Sequence, residues 1–360
     1  MQTFFVQDSA FSFDEVKAGN FKFNETYFER TLAFCKRWLN GEQTFEFNTS
    51  GSTGAPTSIQ AKRAHMEHSA QSTITALGLT ADEHIYLCIN AQMIGGAMML
   101  VRGMELGCDI SIVLPVSNPL EEIDEQHTYT LASFVPMQVY EAQQLLPLQQ
   151  KLNRFKHILL GGAAASEQNL TALALLSCKV WQTYGMTETL SHIALRRVGI
   201  DKYYQTFPDI KIRVDERNCL CIEGVVTNEQ WLLTNDVVKM IDEHSFELVG
   251  RIDDVINSGG IKVFSYDVEH AMMEKLIDLG FPPKPLFVCR KKDEKFGEVV
   301  VAVMLGDKLE PLVLDELTAY CKEKLGKYAA PRHIYFVNEF EKLESGKLDK
   351  KATLQKVLLG

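Results

Sequence analysis

Several absences narrow what this chain can be. It has no CxxC pair: the eight cysteines stand at positions 35, 88, 108, 178, 219, 221, 289 and 321, and only Cys219 and Cys221 are close. With no second ligand cluster, a zinc site is not expected, and reduced buried thiols are the simpler reading. Long hydrophobic runs are missing too. The stretch Ile94 to Val101 is interrupted by Arg102, far short of the roughly 20 residues a bilayer span needs. No dense Lys/Arg block exists, and 37 basic against 47 acidic residues leave a net charge of -10, so nucleic acid and anionic membrane surfaces are not expected partners. The N-terminus, Met1-Gln2-Thr3-Phe4-Phe5, lacks the basic and apolar regions of a secretory signal, and a cytoplasmic location is expected.

What is present is ordinary globular material. The 360 residues, 46% of them hydrophobic, suffice for two or three domains with a sizeable core. From Thr73 to Leu114, short apolar runs (Ile85 to Ile89, Ile110 to Leu114) flank a segment, Gly96 to Leu106, with helical character. The rhythm recurs from Thr130 to Leu160, with strand-like Thr130 to Val135, helical Gln138 to Leu146, and the buried-strand run His157 to Leu160 ending in Gly161-Gly162. Repeated βαβ units predict an α/β domain with a largely parallel sheet. Sites in such sheets sit at the carboxyl ends of strands, where Gly161-Gly162 would be.

After about Val198 the texture changes to short strands and turns (Ile210 to Val214, Cys219 to Glu223), which reads as antiparallel β. Beyond Arg251 come a helical Asp267 to Leu279, a Pro-rich break at Phe281 to Pro285, strand-like Val299 to Leu305, a helix Pro311 to Leu325 and a strand Ile334 to Val337. The expected division is a core domain over 1–250, with a β subdomain at about 199–250, and a small α+β domain over 251–360.

Five local patterns can carry chemistry. Thr49-Ser50-Gly51-Ser52-Thr53-Gly54-Ala55-Pro56 is rich in glycine and hydroxyls, so it can bring N-H and O-H donors close to anionic oxygens. No Gly-Lys-Ser/Thr closes it, which disfavours a P-loop NTPase; alone it is equally well a flexible turn. Tyr184-Gly185-Met186-Thr187-Glu188-Thr189 follows an apolar run; a carboxylate among hydroxyls at a strand end suits Mg²⁺, with a Tyr beside it to stack on a purine. The competing reading is a capped helix start with Glu188 in its first turn. Asp236 can accept both ribose hydroxyls, with Arg251 near them and Asp253 beyond; as bare residues these are equally well surface ion pairs. Asn257-Ser258-Gly259-Gly260 and Leu343-Glu344-Ser345-Gly346-Lys347 complete the series. A Lys on a terminal loop is commonly just a solvated charge.

In this order and spacing, over about residues 45 to 350, the five patterns resemble the adenylate-forming superfamily of acyl- and aryl-CoA synthetases, firefly luciferase and peptide-synthetase adenylation domains. The resemblance implies a large N-terminal α/β domain with a β subdomain and a small mobile C-terminal domain. It further implies ATP, Mg²⁺ and coenzyme A as ligands. Thr49, Ser50, Gly51, Ser52, Thr53 and Gly54 would hold the β- and γ-phosphates. Gly161, Gly162 and Tyr184, with Gly185 and Thr187, would frame the adenine end. Glu188, with Thr53, would coordinate Mg²⁺; Asp236 and Arg251 would bind the ribose. Asp253 matches the hinge, Gly259-Gly260 the loop facing the CoA arm, and Lys347 the lysine of the first half-reaction.

The implied activity is acid-CoA ligation, in which the acid first joins the α-phosphate of ATP and a thiol then takes the acyl group. An acid already ionised near neutral pH needs no general base, which agrees with the absence of any Ser-His-Asp spacing. Two departures stand out. Thr57 replaces a usual Lys after the phosphate loop, with Lys62 and Arg63 the nearest replacement cations, and Asn235 replaces a usual Gly before Asp236. The segment Asn90 to Arg102, with Gly95 and Gly96, is most similar to the o-succinylbenzoate-CoA ligase branch of menaquinone synthesis. A dicarboxylic acid gives a pocket cation a chemical reason, and Arg102 is the candidate; a structural ion pair is the plain alternative. Other aromatic or medium-chain acids, or a catalytically impaired relative that only binds nucleotide or acyl-CoA, are the competing readings. Members of the family commonly exceed four hundred residues, and the phosphate loop here begins at Thr49, so the chain reads as a shortened enzyme. Oligomeric state is left open, a homodimer among the options.

Overall fold

Strands buried on both faces need near-continuous apolar sequence, and the stretches around Ile85, Ile110, Leu131 and Ile158 supply it. The computed structural model describes residues 2–48, 58–124, 126–144, 146–162, 165, 167–282, 284–341 and 348–359. Thr49 to Thr57 and Lys347 lie outside them. The chain divides into two compact units: residues 1–213, 221–232 and 240–247 form the first, and 214–220, 233–239 and 248–360 the second.

In the first unit, β1 (Thr3–Val6) and β2 (Ser9–Ser12) form a hairpin, followed by α1 (Phe13–Ala18) and α2 (Thr26–Leu39). β3 (Thr44–Asn48) and β4 (Ser58–Lys62) pair antiparallel with Asn48 opposite Ser58, so the candidate phosphate loop joins two hydrogen-bonded strands. α3 (Arg63–Leu77), β5 (His84–Leu87), α4 (Ile94–Leu106) and β6 (Asp109–Ile112) continue the βαβ rhythm. After them come β7 (Tyr129–Phe134), α5 (Pro136–Gln144), α6 (Leu146–Leu152), β8 (Phe155–Leu160), α7 (Glu167–Ala174), β9 (Lys179–Gly185), β10 (His192–Arg197) and β11 (Tyr204–Thr206). The strand order β11-β10-β9-β8-β7-β5-β6-β1-β2 is parallel from β9 through β1 and antiparallel at β10, β11 and β2. The carboxyl ends of the parallel strands therefore share one edge. Tyr86, Tyr129, Phe134, Phe155, Ile158 and Val180 fill one side of the sheet together with Val139, Leu152 and Leu170 from α5 to α7. The expected helix Gln138 to Leu146 is two shorter helices, because Pro147 cannot extend the first.

β12 (Lys211–Val214), β13 (Cys219–Glu223), β14 (Leu232–Met240) and β15 (Ser245–Arg251) make up the β region, and the division between the units runs through them. The second unit continues with β16 (Val255–Ser258), β17 (Ile261–Phe264), α8 (Ser265–Asp278), β18 (Leu286–Asp293), β19 (Gly297–Leu305), α9 (Pro311–Leu325), β20 (His333–Val337) and α10 (Lys350–Leu359). Its sheet runs β17-β16-β19-β18, with β20 parallel to β19. Ile256, Val268, Met272, Leu276, Val300, Met304 and Leu317 form its core. All eight cysteines are free, and only Cys178 and Cys289 are partly exposed. Among the described residues no helix is long and apolar enough to cross a membrane.

Candidate active site

In the first unit the site residues gather where parallel strands end. Gly161 and Gly162 follow β8, and the Gly161 N-H donates to the Phe134 carbonyl at the end of neighbouring β7 (3.2 Å). β9 and β10 are joined by a short hairpin whose base pairs Gly185 with His192, and Thr187–Thr189 form a single 3-10 turn at its tip. Glu188 is therefore in the first turn of a capped 3-10 helix of a single turn, at the tip of a hairpin, and β10 follows it in place of an α-helix. A side chain at Gly185 would place its Cβ 2.3 Å from the Ser191 carbonyl oxygen and 2.5 Å from the His192 Cα, so the doubled-back chain admits only glycine there. The buried Thr189 hydroxyl accepts from the Met186 N-H (3.0 Å) and donates to the Ser191 carbonyl (2.8 Å). Leu190 completes the reversal at φ 63°, a left-handed conformation that a branched residue adopts only when its surroundings impose it.

Glu188 itself is exposed and, among the described residues, has no ion-pair partner. Mg²⁺ commonly takes one or two protein carboxylates and completes its shell with phosphate and water, so a lone, open carboxylate on a rigid turn fits the ion. Among the described residues no group of three His, Cys, Asp or Glu could hold a metal by itself. Tyr184 is 6% exposed and packs edge-on to Phe246 (5.1 Å between ring centres), with Tyr204 at 6.0 Å. Its ring is thus part of an aromatic cluster, with little face left open.

Arg102 is the most unusual residue of the unit. It is 1% exposed on α4, about 9 Å along the helix axis from Gly96. Gly95 is exposed in the first turn of that helix, whereas Gly96 is buried, packed on the backbone of Asn90 and Ala91. One guanidinium nitrogen, Nη2, donates to the Ser191 hydroxyl (2.6 Å), Nη1 reaches only the Met99 sulfur (3.7 Å), and Nε has no acceptor among the described residues. No carboxylate pairs with it there, and burial pushes its pKa down to about 9. The guanidinium remains charged at neutral pH all the same. His192 lies beside it, its pKa pushed well below the ordinary value by burial and by the Arg102 charge.

The cations after the candidate phosphate loop differ in availability. Arg63 is bound to Glu67 (2.6 Å) and the Trp38 carbonyl (2.6 Å), with Glu105 at 3.7 Å and its guanidinium over the Trp38 ring. It cannot stand in for a lysine at Thr57. Among the described residues, the exposed Lys62 ammonium is hydrogen-bonded to the neutral Asn228 side chain (2.8 Å) and has no carboxylate partner.

The second unit brings Asp236, Arg251 and Asp253 together. Arg251 Nη1 reaches Asp236 (3.1 Å) and Nη2 reaches Asp253 (2.9 Å). Asp236 is 7% exposed, and its N-H donates to the Thr234 hydroxyl (3.0 Å). Asn235, the departure from Gly, is put to use: its amide donates to both oxygens of Asp253 (3.3 and 3.1 Å), and its own oxygen accepts from Arg217 (3.2 Å). Arg217 also donates to the Thr234 carbonyl (3.2 Å). Neither Arg217 nor the role of Asn235 was readable from spacing. Gly259 and Gly260, at φ 57° and 82°, make the two-residue turn between β16 and β17, where both central residues must be left-handed. A Cβ at Gly259 would also lie 2.5 Å from the Tyr328 ring.

Comparisons with known proteins give the family. Residues 45–225 match the family described as AMP-binding enzyme, and residues 286–347 match AMP-binding enzyme C-terminal domain. The 2-succinylbenzoate-CoA ligase of Enterococcus faecalis is 26% identical over 339 residues, covering 84% of this chain and 67% of that protein. The same enzyme of Bacillus cytotoxicus is 25% identical over 376 residues, covering 95% and 76%. Among solved structures, an acyl-CoA synthetase (AMP-forming)/AMP-acid ligase II-like protein from Dyadobacter fermentans is 35% identical, with a TM-score of 0.63 and coverage of 95% of this chain and 97% of that one. The o-succinylbenzoate coenzyme A synthetase of Bacillus subtilis, in complex with ATP and magnesium ion, shares the fold (TM-score 0.72, 22% identity, covering 86% and 69%). With its two matching segments and a 35% identical relative aligned over nearly its whole length, the chain belongs to the AMP-binding enzyme family.

Proposed function

We propose that this chain is an ATP-dependent acid-CoA ligase whose preferred acid is o-succinylbenzoate or a close dicarboxylic analogue. A carboxylate oxygen attacks the α-phosphorus of ATP, the bond to the β-phosphate breaks, and pyrophosphate leaves with the electron pair. The sulfur of CoA then attacks the acyl carbon of the adenylate, AMP leaves, and the thiol proton passes to solvent. The first step brings an anion up to a polyanion, so charge stabilisation dominates.

Glu188, with Thr53, would hold Mg²⁺, which supplies positive charge at the triphosphate. The loop Thr49 to Gly54 would give its N-H and O-H donors to the β- and γ-phosphates, and Lys347 would bridge the acid and the α-phosphate. Asp236, oriented by Arg251, would accept the ribose hydroxyls. Gly161 and Gly162, with Tyr184, Gly185 and Thr187, would border the base. For the second step, rotation about Asp253 would withdraw Lys347 and bring up the Gly259-Gly260 turn, which has no side chain to obstruct the pantetheine arm. Such a rotation would have to release Asp253 from Arg251 and Asn235.

The observation that carries the substrate reading is Arg102. A buried cation without a carboxylate partner is costly, and an acid with a second carboxylate would bring the missing counter-charge. Acid-dependent exchange of pyrophosphate into ATP, run over a panel of acids, tests the proposal. Mg²⁺-dependent exchange with o-succinylbenzoate, and much weaker exchange with benzoate or a medium-chain monocarboxylate, is expected. Equal exchange with all acids would overturn the dicarboxylate reading, and no exchange with any acid would favour an impaired nucleotide-binding relative, the reading that Thr57 motivates.

A further inference from the structure

Arg102 does not stand alone. The guanidinium has only hydrogens to offer, so Nη2 donates to Ser191 Oγ at 2.6 Å. The Ser191 hydroxyl lies 3.4 Å from His192 Nδ1, and on the other side of the ring His192 Nε2 lies 3.0 Å from Thr73 Oγ1. Thr73, wholly buried on α3, is 3.2 Å from the Ser69 carbonyl. A carbonyl cannot donate, so both Thr73 contacts are hydrogen bonds only when the single Thr73 hydrogen points at it. Thr73 must then receive from His192, which places the imidazole hydrogen on Nε2. Nδ1 is left bare and accepts the Ser191 hydrogen. Every bond from α4 to α3 runs in one direction, and only one form of His192, the neutral Nε2-H tautomer, satisfies them all.

We propose that Ser191, His192 and Thr73 are positioning residues for acid recognition: a one-way donor chain that grips Arg102 by Nη2 and leaves Nε and Nη1 to receive the remote carboxylate of the acid. The proposal rests on the dicarboxylate reading given above. Reversing the chain would aim the Ser191 hydrogen at the guanidinium, and an imidazolium would set a second cation beside it. The Phe207 ring, 5.6 Å from His192, packs against the imidazole. A carboxylate arriving at Arg102 would thus meet a guanidinium already fixed in one orientation, so little ordering would be lost on binding. The chain also ties the acid site to the Glu188 hairpin, since Ser191 and His192 close that turn.

The test has two parts on the full chain. Nitrogen-15 spectra of the His192 imidazole at pH 7.5, without ligand, should show the proton on Nε2 and a bare Nδ1; the opposite tautomer or an imidazolium overturns the chain. His192→Phe, which keeps the ring, and Thr73→Val, which keeps the shape, should each raise KM for o-succinylbenzoate about tenfold, the effect of weakening a hydrogen bond to a charged group. With kcat within twofold, KM for ATP and for a monocarboxylate analogue should stay unchanged. Equal rises for both acids, or no rise for either, overturn the positioning role. If the wild type handles both acids alike while the Nε2-H tautomer is observed, the failure lies in the assignment of Arg102 as the carboxylate receptor, and the positioning role falls with it.

Discussion

Replacing Arg102 with Met separates a receptor from a structural cation. Met fills a similar volume without charge. In the wild type the guanidinium is wholly buried and has no carboxylate among the described residues, and its pKa falls to about 9. A depression of that size corresponds to a penalty on the order of 5 kcal/mol for the charged form. Removing the charge relieves much of this, while the Ser191 hydroxyl loses its donor at a cost of about 1 kcal/mol. Relaxation around the charge reduces the balance further, so Arg102→Met should be more stable than the wild type by about 1 to 4 kcal/mol, as happens when unpaired buried charges give way to apolar groups. For a unit of this size that is a rise in Tm of about 2 to 4 °C for each kcal/mol. Urea unfolding and thermal melts of both proteins measure it. The same variant should lose preference for the dicarboxylic acid, with KM for ATP unchanged. A variant destabilised by about 3 kcal/mol or more would refute the reasoning, because it would mean that Arg102 is a satisfied structural cation. The pH dependence gives an independent sign: above about pH 9 the folded protein releases a proton that the unfolded chain keeps, so wild-type stability should gain with pH relative to Arg102→Met.

Adenylation of the dicarboxylic acid should decline above about pH 9 relative to a monocarboxylate analogue, since Arg102 loses its charge there; parallel pH profiles for the two acids would contradict this. Asn235→Gly removes the hydrogen bonds to Asp253 and Arg217, and should lower the stability of the second unit by about 1 kcal/mol while KM for ATP stays within about threefold, because the Asp236 pair with Arg251 is untouched. Gly259→Ala forces a Cβ against Tyr328 at a left-handed position; thioester formation should fall while pyrophosphate exchange continues, as stopped assays of each half-reaction would show. Lys347→Ala should abolish adenylation and retain thioester formation from supplied acyl-adenylate, and equal loss in both would speak against its role.

How much of this was legible in the chain depends on range. The βαβ rhythm from Ile85 to Leu160 was readable because buried parallel strands demand local apolar runs, and the helix Pro311 to Leu325 appeared with the bounds its Pro and Gly set. The β3 and β4 pairing around the phosphate loop was not foreseen, since Thr44 to Asn48 and Ser58 to Lys62 have no strong alternation. The sequence puts Glu188 at a strand end or in the first turn of a capped helix, but the hairpin that carries it depends on Gly185 meeting Ser191 and on the strained Leu190, contacts that spacing does not express. Asn235 looked like a loss of glycine; its value lies in Asp253 and Arg217, which come near it only when the chain folds.

By itself the sequence determined which residue types are offered for the proposed phosphate, ribose and metal chemistry, their order, and the acidic overall balance, because these follow from local composition and motif spacing. Only the tertiary structure decided that Arg63 is already engaged, that Arg102 is buried with no carboxylate beside it among the described residues, and that Ser191, His192 and Thr73 line up behind it. Those facts turn on desolvation and hydrogen-bond direction between segments up to 119 residues apart. The physical reason is plain: a charge in a sequence has no environment until the chain packs around it.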